Sequence, residues 1–184
     1  MPLRQISTAL LLLLLSCTVY ADAGDDFAAL MAEEWEARLA YDPVFASELG
    51  DRRYNQQWED LSLGAIKTYQ DQSRDFLRRT YAIDKSALND TDQLDYELFR
   101  RTLQSRVDAF QFKGHLLPLH HRGGAQNLEN TANRLNFESV KDYEDWLARM
   151  NKIDDYIEQT IDLAEAGRKQ GYMPPKILMQ RIPD

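Results

Sequence analysis

Apolar residues recur along most of this chain at spacings of three and four, the repeat of an α-helix with one buried face. Asp25 or Asp26 can cap a first helix whose apolar face is Phe27, Leu30, Met31, Trp35 and Leu39. Asp42 followed by Pro43 places a cap before a proline at the first helical position, and Gly50 supplies a stop, so 43–49 reads as a two-turn helix. After a polar loop reaching Asp60, Ser62 can cap a long helix carrying Leu63, Ile66, Tyr69, Ser73, Phe76, Leu77 and Thr80 on one face and ending near Ala82.

The next helix starts at Asp90 or Thr91, with Tyr96, Phe99, Leu103, Val107 and Phe110 as its stripe and Leu94 and Leu98 widening it. Gly114 is expected to end it. Residues 114–124 break the helical period, since Pro118 and the pair Gly123 and Gly124 interrupt it, and a further helix is expected from Ala125. Ser139 then caps a helix expected to bury Tyr143, Trp146, Leu147 and Met150, and the period runs on through Ile153, Ile157, Ile161 and Ala164, with Asp154 and Asp155 marking a break. Gly171 stops that helix, and Pro174 and Pro175 open a last one whose apolar residues Ile177, Leu178 and Met179 need a cover. The reading is therefore an all-α array of amphipathic helices, expected to be a portion of a larger helical protein.

Composition supports helix, with only 8 glycines and 6 prolines. The first residues belong to a different kind of segment. Arg4 followed by Ala9 through Leu15, which includes six consecutive leucines, has the layout of a secretory signal and is too short to span a bilayer. Cleavage after Ala21 or Ala23 releases a mature domain starting near residue 22, and Leu14-Leu15-Ser16-Cys17 offers lipid attachment at Cys17 as the alternative. The chain is thus divided into a signal peptide over 1–21 and a helical domain over 22–184, periplasmic or secreted unless Cys17 anchors it to a membrane.

The formal charge is −8, with 30 acidic and 22 basic residues interspersed, which argues against nucleic acid as a partner because phosphate recognition needs a concentrated basic surface. Chemistry is sparse. The three histidines, His115, His120 and His121, share one loop and lack the four-residue helical spacing of a zinc pair. No nucleophile elbow and no phosphate-binding glycine loop is present. Paired acids such as Glu33 and Glu34 read as solvated helix faces. The loop His115, His120, His121, Arg122, Gly123 and Gly124 stands out as a candidate cleft rim or anion-binding loop, where cationic side chains meet free backbone N–H groups. No catalytic or metal-ligating residue is assigned.

Six segments occur in an order that resembles a family: Asp42-Pro43 leading to Leu49-Gly50-Asp51; Asp60-Leu61-Ser62; Asp92-Gln93-Leu94-Asp95-Tyr96; the 117–124 loop; Asp142 through Arg149; and Gly171 through Lys176. Together they resemble the N-terminal part of the exported bacterial proteins known as domain of unknown function 885 (DUF885). The resemblance implies an all-helical fold similar to gluzincin zinc metallopeptidases, with zinc held by a His-Glu-x-x-Pro-Gly-His type motif in the later part of full-length relatives. No such motif occurs in this chain, so no cofactor and no ligand residue is carried over to it. The implied role is a scaffold and cleft wall, inactive alone, with a peptide or small molecule as substrate of the full-length protein. The alternative is a self-contained, non-catalytic helical binding protein of the cell envelope.

Overall fold

The computed structural model describes residues 22–119 and 123–180, and within them the chain is all-α, with eight α-helices and five short 3-10 turns. Residues 1–21, where the signal peptide and the Cys17 alternative are expected, lie outside the described residues.

Helices α1 (Ala23–Tyr41), α3 (Leu63–Ala82) and α4 (Asp90–Ala109) pack together as a bundle. Leu30, Phe76, Leu77 and Leu103 form its centre, and Phe27, Leu88 and Tyr96 form a second cluster that shares Ile83 and Phe99 with the first. Phe27 meets Tyr96 and Phe99 at ring separations of 5.8 and 5.9 Å, within the range of favourable tilted and edge-on aromatic contacts. The expected stripes of α3 and α4 supply most of this core. Leu63, Leu94 and Leu98 do not join it and lie exposed.

Capping decides several boundaries. Ser62 caps α3 by accepting from Ala65 N–H, as expected. The cap of α1 is Asp22, which accepts from Gly24 N–H, so Asp25 and Asp26 fall in the first turn, where their charge still favours the helix N-terminus. Helix α4 is capped by Asn89 and tightens into a 3-10 turn over Phe110–Phe112. Lys113, at φ 49°, makes the left-handed stop expected of Gly114. The helix expected from Ala125 is a 3-10 turn over Ala125–Asn127, followed by the single-turn α5 (Glu129–Ala132).

Asp42 caps α2 (Pro43–Glu48) by accepting from Phe45 N–H at 2.9 Å, and Gly50 closes it at φ 88°. Beyond the bundle run α6 (Val140–Met150), α7 (Ile153–Lys169) and the short α8 (Lys176–Met179). The break between α6 and α7 falls at Asn151 and Lys152, leaving Asp154 and Asp155 in the first turn of α7.

Two expected faces are wrong, for one reason. Glu34 is buried rather than solvated, because Arg106 of α4 reaches it at 2.6 Å. Helix α6 is turned over: Tyr143, Leu147 and Met150 are exposed, whereas Asp142, Asp145 and Arg149 are buried. Ion pairs for Glu34, Asp142 and Asp145, and hydrogen bonds to Ser47 and the Tyr54 carbonyl for Arg149, make burial of charge tolerable.

No helix among the described residues is long and apolar enough to cross a membrane.

Candidate functional site

Asp142, Asp145 and Arg149 are spaced three and four apart, so one face of α6 carries all three. Each fastens a different part of the 43–60 segment. Arg52 donates from Nη2 to Asp142 at 3.2 Å, and the same carboxylate accepts from Ser139 N–H at 2.9 Å and Glu138 N–H at 3.1 Å. These donors, led by the Ser139 hydroxyl, hold the Asp142 carboxyl below the usual aspartate range. Asp145 accepts from Gln56 Nε2 at 2.6 Å and from Lys141, which lower it likewise.

Arg149 has no exposed surface. Its guanidinium donates to Ser47 Oγ at 2.7 Å and to the Tyr54 carbonyl at 2.9 Å, and it lies 5.5 Å from the Trp58 ring centre. Trp58 in turn donates from Nε1 to the Arg149 carbonyl at 2.9 Å, so this residue is gripped at both ends. Burial pulls the guanidinium down from its ordinary value, and the nearby Glu59 opposes that shift most strongly.

In front of this joint an open cavity of about 590 Å³ lies between the Arg52–Asp60 segment and α6 and α7. Trp58 and Tyr156 are its aromatic lining, their ring centres 5.5 Å apart. Glu59 lines it too. Burial pushes the Glu59 carboxyl up to about 7, with Asp42 beside it adding to the shift and Arg149 opposing it. The Tyr156 hydroxyl is pushed up to about 12, first by burial and then by Glu59 and Asp42. Glu59 therefore exchanges its proton near neutrality, while Tyr156 stays protonated there.

Of the loop singled out from sequence, His115, Gly123 and Gly124 are described. His115 packs beside Lys113, Leu63 and Ile66, and burial lowers its pKa. Gly124 sits at the other end, against Leu119 and the Pro118 carbonyl, and the Gly123 carbonyl accepts from Gln126 Nε2 at 3.0 Å. His120, His121 and Arg122 lie outside the described residues. Between the loop and α7, Leu116, Leu117, Pro118, Leu119, Ile161 and Met173 line a second, apolar cavity of about 270 Å³. Gly167 lets the loop reach α7, since a Cβ there would fall on the Leu116 carbonyl oxygen. Among the described residues no three histidine, cysteine, aspartate or glutamate side chains converge as a metal site.

Arg149, Glu59, Asp142 and Asp145 carry the candidate site, and sequence reasoning singled out none of them as functional. Two of the resembling segments contain signals for it: Asp142 through Arg149 holds the buried stripe, and Asp42-Pro43 holds the carboxyl beside Glu59. No curated protein and no solved structure matches the chain. A family model does, over residues 43–184, which span the joint, both cavities and every helix after α1. The chain belongs to the family described as bacterial protein of unknown function (DUF885).

Proposed function

We propose that this chain is the helical scaffold and cleft wall of an exported, zinc-metallopeptidase-like protein, placed in its N-terminal part and supplying shape and binding groups rather than metal ligands. The observation that carries the reading is the inverted helix α6. Its ionic stripe is spent inward on holding the 43–60 segment, while Val140, Tyr143, Leu147 and Met150 face outward, exposed by 76, 57, 60 and 44%. A contiguous apolar stripe exposed along one helix is characteristic of a wall against which further protein packs. The family resemblance supplies the gluzincin character and the zinc, both held by residues outside this sequence.

The test is to isolate the protein from its native envelope and measure its mass, zinc content and hydrolysis of a mixed peptide library. A polypeptide longer than this sequence, with one zinc per chain and peptide hydrolysis lost on chelation, supports the reading. Peptide hydrolysis by residues 22–184 alone overturns it.

The cavity favours a second reading, a self-contained envelope binding protein, because Trp58, Glu59 and Tyr156 line a pocket of small-molecule size. A native mass that stops at Asp184, with no zinc, decides for that one.

A further inference from the structure

The cavity in front of α6 is lined by four cations and four acids, and their pairing is lopsided. All four cations are engaged. Arg52 is held by Asp142 and Glu138, Arg53 by Asp51 and Glu36, Lys141 by Asp145, and Lys152 donates to the Gln56 carbonyl at 2.9 Å. Of the acids, only Asp145 is paired with a cation. Glu59, Asp60 and Asp155 form no salt bridge among the described residues, and Asp155 accepts no hydrogen bond there. The Tyr156 hydroxyl donates to nothing either, and it is not among the atoms sealed from solvent, so it opens onto the cavity. Arg149, the remaining nearby cation, is fully occluded behind Trp58 and faces no ligand.

We propose that this cavity is a binding site for an organic cation, an ammonium or guanidinium group on an aliphatic stem. The lining offers free acceptors while its cations are already engaged, so a ligand rich in donors completes it and an anion must compete with the carboxylates that hold those cations. Trp58 and Tyr156 suit the same ligand, since an aromatic ring face attracts a cation and an aromatic edge packs on its stem. The free acids do not converge as chelators, which matches a cation broader than a metal ion. A volume of about 590 Å³ is in the usual range for small-molecule sites. The ligand chemistry has two sources, a lysine or arginine side chain of a peptide and a free diamine. The inference does not rest on the metallopeptidase reading, because binding is measured without turnover.

The experiment is calorimetric titration of the purified protein with four probes: Nα-acetyl-lysine amide, 1,5-diaminopentane, Nα-acetyl-norleucine amide as the neutral isostere and Nα-acetyl-glutamate amide as the anion. The indole N–H resonance of Trp58, identified through Trp58→Phe, reports the place of binding. Saturable binding of either cation at least tenfold tighter than norleucine amide, with a shifted Trp58 signal, is the expected result. Preference for the lysine amide over the diamine assigns a peptide source, and the reverse order a free amine. Asp155→Asn and Tyr156→Phe, which break no contact within the protein, should each weaken binding severalfold and leave the melting temperature in place. Equal binding of the neutral or acidic probe, no binding at millimolar concentration, or affinity untouched by both substitutions overturns the proposal.

Discussion

Replacing Glu59 by glutamine keeps its shape and removes a charge that burial disfavours. The folded carboxyl titrates at about 7 against an ordinary value of 4.5, so between those two the folded protein holds a proton that the unfolded chain has released. Its contribution to stability is therefore complete below pH 4.5 and lost as pH rises through 7. Glu59→Gln should raise the melting temperature at pH 8 and leave it nearly unchanged at pH 5, as differential scanning calorimetry would read. A rise of equal size at both pH values would place the effect in packing. Asp142 and Asp145 work in the other direction: their folded values lie below the ordinary 3.8, so what they contribute is present above that pH and is lost as pH falls through the folded values. Arg149→Met should cost about 1–3 kcal/mol in urea unfolding, the usual result of removing a buried donor and leaving its acceptors, Ser47 Oγ and the Tyr54 carbonyl, unpaired. Arg149→Lys should recover only part of it, because an ammonium can take the place of Nη2, the one nitrogen that donates to both Ser47 and Tyr54, but lacks the planar guanidinium beside the Trp58 ring.

At the scale of the element, the helices of the bundle are legible from sequence and α6 is not. Ser62 before Leu63, and Asp42 before Pro43, announce their helices because the cap and the first turn are written in adjacent residues. In α6 two stripes have the same spacing, Val140, Tyr143, Leu147 and Met150 against Asp142, Asp145 and Arg149, so periodicity fixes the helix and leaves its rotation to partners far away in the chain. Those partners, Ser47, Arg52, Tyr54 and Gln56, lie about 90 to 100 positions earlier and carry no local sign of the pairing. The candidate site was hidden for that reason, whereas the histidine loop is visible in sequence because its cationic side chains and glycines are written in adjacent residues. The rotation is testable by substitution. Leu147→Ser should change stability by no more than about 0.5 kcal/mol, as for an exposed site, whereas Leu103→Ala should cost about 2–5 kcal/mol. Gly167→Ala should also destabilise, by about 1–3 kcal/mol, because the added methyl must displace the Leu116 backbone from α7.

For the whole molecule, the fold joins two kinds of material. The α1, α3 and α4 bundle is held by aliphatic and aromatic burial, while the 43–60 segment is held to α6 by guanidinium, carboxylate and amide contacts. The outward face of α6 should make the purified protein self-associate: sedimentation velocity is expected to show mass rising with concentration, and Tyr143→Lys with Leu147→Lys to restore a monomer. A wild-type monomer at all concentrations would leave that face without a packing role. The mixed construction also means that the two parts answer to different variables. Cooling weakens apolar burial and leaves the ionic joint largely intact, whereas added salt screens the exposed Arg52 and Lys141 contacts and has nothing to screen in the apolar core of the bundle. Amide hydrogen exchange of α6 should therefore accelerate in concentrated sodium chloride while that of α3 holds steady, so ionic strength alone can loosen the cavity's back wall without melting the core.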